Sequence, residues 1–96
     1  MDNSNLERLR QLAARGALLA LADYAKQDET FVPVKDPRTE RWHARVDACE
    51  FELLLTGPKF WDVRQSVGGG GAIDLAIHLF DCTFKEAIRR IGTSGL

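Results

Sequence analysis

The sequence predicts an α+β domain made of an N-terminal helix, a three-stranded antiparallel sheet and two short C-terminal helices. Three observations carry that prediction. Apolar residues recur at helical spacing through residues 4–27, and from Arg41 the period shortens to two, giving a sheet over residues 41–67. Helical spacing then returns in two short stripes within residues 70–92. With 96 residues, 45% hydrophobic and 28% charged, the chain has the size and composition of one folded domain, residues 1–96.

The first helix is read from "SNLERLRQLAARGALLALADYAKQ". Ser4 and Glu7 have capping-box spacing, and Leu6, Leu9, Leu12, Ala13 and Ala20 fall near one stripe, widened by Leu18, Leu19 and Leu21. Residues 28–40 follow as a connector, because Pro33 and Pro37 exclude a regular helix, with a short edge strand around Phe31 to Val34.

In the sheet, Trp42, Ala44 and Val46 alternate with Arg41, His43 and Arg45, and Phe51, Leu53 and Leu55 with Glu50, Glu52 and Leu54. "TGPK" turns the chain so that "FWDV" returns antiparallel. Beyond Gly68 to Gly71, Ile73, Ala76, Ile77 and Phe80 form one helical stripe, and Phe84, Ala87, Ile88 and Ile91 a second. Thr83 and Glu86 have capping-box spacing, and Gly92 ends the last helix. Phe80, Phe84, Ile88 and Leu53 are therefore expected in one core.

Composition excludes more than it assigns. A net charge of −1 provides no overall field for nucleic acid or an anionic membrane, so any such role needs a local patch. "GALLALADYA" is too short to cross a bilayer, and Asp2, Glu7 and the arginines ahead of it do not make a signal peptide; the expectation is a cytoplasmic protein that does not engage membranes. Two cysteines, Cys49 and Cys82, are too few for a disulfide framework and fit buried thiols.

The four glycines Gly68, Gly69, Gly70 and Gly71 lie at a helix N-terminus, where free N–H groups can bind phosphate. No Lys-Ser/Thr follows as in a P-loop, and GxGxxG spacing is absent, so the run reads first as a turn that sets the helix direction. On that reading Gly70 and Gly71, nearest the helix, tolerate substitution least.

His43, Cys49, His78 and Cys82 are the soft metal ligands. His78 and Cys82 are spaced i, i+4, but no pair has knuckle spacing, and no metal or other cofactor is expected. His78 reads as a helix-surface residue near Asp74. No nucleophile elbow or Ser-His-Asp group stands out, so the chain reads as a non-enzyme. What remains is Arg38, Arg41, His43, Arg45, Lys59 and Arg64 with Trp42, Phe60 and Trp61 among them, a mixture suited to single-stranded nucleic acid through phosphate attraction and base stacking, with Arg41, His43, Arg45, Lys59, Trp61 and Arg64 as the candidate contacts. Against it, Asp36, Glu40, Asp47, Glu50, Glu52 and Asp62 cancel charge over the same stretch.

"FELLLTGPKFWDVRQSVGGGGAIDLAIHLFDCTFKEAIRRI" resembles the end of the CHC2-type zinc-ribbon domain of bacterial and phage DNA primases. "GGAIDLAIHL" (Gly70 to Leu79) and "TFKEAIRRI" (Thr83 to Ile91) stand where that family has its glycine joint, apolar helix and final helix. Where the family has its first ligands this chain has Arg45, Val46, Asp47 and Ala48, and in place of its second cysteine pair it runs from Asp62 to Ser66.

The resemblance thus implies a degenerate, zinc-less relative, with a zinc-ribbon-like sheet lacking metal. Such relatives occur in primase-like or Toprim-associated proteins of plasmids and other mobile elements. It further implies an accessory module acting on single-stranded DNA during replication or transfer, bound weakly. The alternative is a protein-interaction module that docks a primase, helicase or relaxase without touching DNA. Without metal, stabilisation must come from packing, for which the N-terminal leucine helix and "FELLL" are suited.

Overall fold

Alternation along residues 40–62 builds the centre of a five-stranded antiparallel sheet, seen in a computed structural model that describes residues 3–96. The strands are β1 (Tyr24–Gln27), β2 (Glu40–Val46), β3 (Cys49–Thr56), β4 (Lys59–Asp62) and β5 (Val67–Gly70), and each pairs with its chain neighbour in the order β1-β2-β3-β4-β5. Four helices, α1 (Asn3–Gln11), α2 (Ala14–Leu21), α3 (Ala72–Phe80) and α4 (Phe84–Ser94), complete an α+β fold.

The architecture corrects the three-stranded sheet and single N-terminal helix expected from the sequence. The stretch read as one helix over residues 4–27 is two helices and a strand. Ser4 lies inside α1 rather than capping it. Between α1 and α2, Ala13 is extended (φ −60°, ψ 133°) and offers no side-chain cap. The backbone N–H of Ala14 donates instead to the carbonyl of Gly57 in the β3–β4 turn, at 2.7 Å. A tertiary acceptor thus satisfies a helix-end donor that would otherwise be orphaned, outweighing the high helix propensity of "LAARGA".

Leu21 ends α2 because the chain is drawn onto β2: the N–H of Asp23 donates to Arg45 O at 2.9 Å, and Tyr24 to Gln27 pair with Arg45 to Trp42. Asp23 also ties the hairpin beyond, its carboxylate accepting from the N–H of Asp47 at 2.7 Å. Asp47 sits at φ 53° in the two-residue link from Val46 to Cys49, a conformation that Asp tolerates better than most residues. Phe31 to Val34 form no strand; the connector is held by turns in which Asp28 and Asp36 accept from the N–H groups of Thr30 and Arg38.

The glycine run is itself a strand, with Lys59↔Gly70, Phe60↔Gly69 and Trp61↔Gly68 in register. Glycine weakens strands in general, and here its small size is what the neighbours require. A Cβ on Gly68 would stand 2.8 Å from the Trp61 indole, one on Gly69 2.9 Å from the Phe60 ring, and one on Gly71 3.2 Å from the Arg10 Cα of α1. Gly71 also adopts φ 102°. Gly70 meets nothing closer than 3.9 Å, so the expectation that it is among the least replaceable is corrected.

One face of the sheet is covered by the helices. Trp42, Ala44, Val46, Phe51, Leu53, Leu55 and Phe60 point into a core shared with Leu9, Leu18, Leu75, Leu79 and Ile91. Thr83 caps α4 by accepting from the Glu86 N–H at 3.2 Å. The helix runs past Gly92 and ends at Gly95, which has φ 89°. Phe80 and Ile88 pack partly against the core, whereas Phe84 is 53% exposed, correcting its expected place inside.

Candidate functional site

The opposite face of the sheet is open. Strand alternation directs Tyr24 and Lys26 of β1, Arg41, His43 and Arg45 of β2, Glu50, Glu52 and Leu54 of β3, and Lys59 and Trp61 of β4 onto it. Arg64, in the turn after β4, reaches the same surface, with its guanidinium 3.8 Å from Glu52. All six residues singled out from the sequence therefore share one face. Tyr24 and Lys26 belong to it as well; they were missed because their period-two signal is confined to four residues at the end of a helical stripe.

Electrostatics divides the cations of this face into two groups. Glu52 lies 3.5 Å from Arg41, 2.7 Å from His43 Nδ1 and 3.8 Å from Arg64, while Glu50 lies 3.3 Å from His43 Nε2 and 3.4 Å from Arg45. The hydrogen bond from Arg45, aided by the charges of Arg45 and His43, holds the Glu50 carboxyl below its ordinary range. The lysines are different: among the described residues neither Lys26 nor Lys59 has a carboxylate within ion-pair distance. The exposed Arg45–Glu50 pair contributes only about 0–1 kcal/mol, so an incoming anion can compete for Arg45 at small cost, whereas the half-buried Glu52 is better sheltered from solvent.

Trp61, on β4 between β3 and β5, is 45% exposed on this surface. Its indole lies against Gly68 of the neighbouring strand, where a side chain would displace it. A cross-strand glycine thus supports one side of an aromatic ring and leaves the rest to solvent. Tyr24, on β1, is exposed and meets His43 edge-on, with ring centroids 6.4 Å apart.

Beneath the face lies a polar group that sequence reasoning placed on a solvated surface. Asp62 is fully buried, and its Oδ2 is 2.6 Å from Nε2 of His78, a residue expected on a helix surface. Asp62 Oδ1 accepts from the N–H groups of Arg64 and Gln65, at 2.9 and 3.0 Å. Phe51 and Phe60 flank the imidazole, with centroids 5.6 and 5.3 Å away. The pair is a tie between the turn after β4 and α3. Its signal was available in the spacing of Phe60 and Asp62, which alternation sends to the same side.

The other soft ligands are dispersed. His43 belongs to the glutamate network, Cys49 is exposed, and the Cys82 thiol faces Ala76 O at 3.9 Å, with burial pushing its pKa up. Among the described residues no three His, Cys, Asp or Glu side chains are grouped to hold a metal ion. No described helix is long and apolar enough to cross a membrane. Comparison with known proteins finds no counterpart: no family model, no curated protein and no solved structure matches the chain.

Proposed function

We propose that the protein is a binding module, not an enzyme, and that its open sheet face takes single-stranded DNA weakly. One observation carries the reading: the exposed Trp61 ring, seated on Gly68, shares its face with Lys59 and Lys26, which among the described residues have no carboxylate at ion-pair distance, and with Arg45, held by the exposed Glu50. Stacking platforms beside cations that can follow a phosphate backbone are what sequence-tolerant single-strand binding uses. Duplex DNA offers no unstacked base to such a ring.

The sequence resemblance supplies the setting. "GGAIDLAIHL" and "TFKEAIRRI" support a zinc-less relative of the primase zinc-binding domain, acting in the replication or transfer of a plasmid or another mobile element in the cytoplasm. Asp62, at the start of the stretch that replaces the family's second cysteine pair, gathers the N–H groups of Arg64 and Gln65 in a turn, a job that a metal-bound thiolate could do instead.

A second reading rests on the pairing of Arg41, Arg45 and Arg64 with Glu50 and Glu52. A face so neutralised suits docking of a primase, helicase or relaxase, where complementary charges set register. Titrating labelled single-stranded and duplex oligonucleotides at low and near-physiological salt separates the two. Salt-sensitive binding that prefers the single strand supports the DNA reading, and absence of binding at low salt leaves only the docking module.

A further inference from the structure

The connector between β1 and β2 does not stand away from the sheet. Asx turns at Asp28 and Asp36 shape it, and the Thr39 hydroxyl is 2.7 Å from the Thr56 hydroxyl of β3, which pins its end beside the open face. The result is a groove of about 630 Å³. Phe31, Val34 and Lys35 wall it on the connector side, with Leu54, Lys59 and Trp61 on the strand side. Its volume falls in the range of about 300–1,000 Å³ usual for sites that enclose small organic groups.

The chemistry of the lining is specific. The rings of Phe31 and Trp61 and the aliphatic side chains of Val34 and Leu54 line an open apolar groove, and an ammonium group belongs to each side. Among the described residues neither Lys35 nor Lys59 has a carboxylate within ion-pair distance, and the nearby Asp36 is engaged by Arg38 at 3.0 Å. A flat, uncharged ring with an anion on either side complements that arrangement. An apolar peptide would fill the slot and leave both cations unused.

We propose that this groove receives one nucleobase of the bound single strand, stacked on Trp61, with the flanking phosphates held by Lys35 and Lys59. The proposal rests on the reading of the open face as a single-stranded DNA site and makes the connector part of that site. It assigns the strand a fixed point on the sheet, and it gives Phe31, Val34 and Lys35 a role that charge pattern alone does not suggest.

The test compares a short labelled oligothymidylate with an abasic deoxyribose-phosphate strand of equal length, titrated against the whole chain at low salt. Val34→Asp and Lys35→Glu probe the groove, and Lys26→Glu probes the far end of the face; all three side chains are exposed, so each variant is expected to fold. The expected result is a preference for the base-bearing strand, a loss of about tenfold or more for Val34→Asp, which replaces an apolar wall of the groove with a carboxylate, and a salt slope lower by about 1 for Lys35→Glu. Equal binding of both strands, or binding sensitive to Lys26→Glu yet indifferent to Val34→Asp and Lys35→Glu, overturns the groove and leaves the open-face reading standing. No binding of either strand by the unaltered chain overturns both.

Discussion

Nε2 of His78, on α3, stands 2.6 Å from Oδ2 of Asp62, on β4, and Asp62 has no exposed surface. Removing one partner of a buried polar pair strands the other, so Asp62→Ala is expected to cost about 3 to 5 kcal/mol. That is comparable to the whole stability of a small domain. Urea unfolding measures it. A loss below about 1 kcal/mol would mean that the turn holding Arg64 and Gln65 has other support.

The glycines are expected to separate into two classes on replacement by alanine. Gly68, Gly69 and Gly71 each face an atom within 3.2 Å of a new Cβ, and their variants should lose about 1–3 kcal/mol, whereas Gly70→Ala should stay within about 0.5 kcal/mol. Thermal melts of the four variants check this, and a Gly70 loss as large as the others would contradict the strand register.

Trp61→Ala and Phe84→Ala should both cost less stability than truncation of a buried ring and leave the chain folded, because each ring is about half exposed. Their effects on oligonucleotide binding should differ. Trp61→Ala is expected to lose about 1–3 kcal/mol of affinity, and Phe84→Ala, on a helix away from the open face, none. A Trp61 variant that melts early and binds normally would assign the indole to stability.

Glu52→Gln should tighten binding to single-stranded DNA. It withdraws the carboxylate shared by Arg41, His43 and Arg64, so the salt slope is expected to steepen by about 1 or more as those cations turn to phosphate. Unchanged affinity and slope would favour the docking reading, in which Glu52 sets register with a protein partner.

Excess chelator should not shift the thermal midpoint, since the described side chains are not grouped around an ion site. Elemental analysis of the purified chain provides an independent check, and one tightly held equivalent of zinc would overturn the expectation.

What the sequence makes legible is where side chains choose the local period. The alternation of "RWHARV" and "FELLL" and the stripes of α3 and α4 are written in residues that pack against one core, and they could be read without knowing the neighbours. The break at Ala13 is different, because alanine favours a helix, the helix-weakening Gly16 lies inside α2 rather than at the break, and the acceptor that starts α2 is the distant Gly57. Strand β5 is equally silent, being mostly glycine, and is defined by the rings of Trp61 and Phe60 across from it.

For the candidate site, the cations and Trp61 could be named from alternation alone. Which of those cations are already engaged depends on the register that sets Glu50 opposite Arg45 and Glu52 opposite His43, and only the paired sheet reveals it.

The order of the strands also bears on how the chain reaches this state. Every strand pairs with its immediate neighbour, and β2 to β5 close through short links, whereas β1 reaches β2 across the connector of residues 28–39. Further contacts between distant parts of the chain come from α1 and α2, both of which meet α3. During synthesis α1 and α2 are already present when the meander is complete, and α3 and α4 emerge last to finish covering its apolar face. Completion of that cover by α3 and α4 is the last step in chain order, and mutations in the buried Leu75 or Leu79 are expected to slow folding more than mutations in the hairpin turns, as stopped-flow refolding would register.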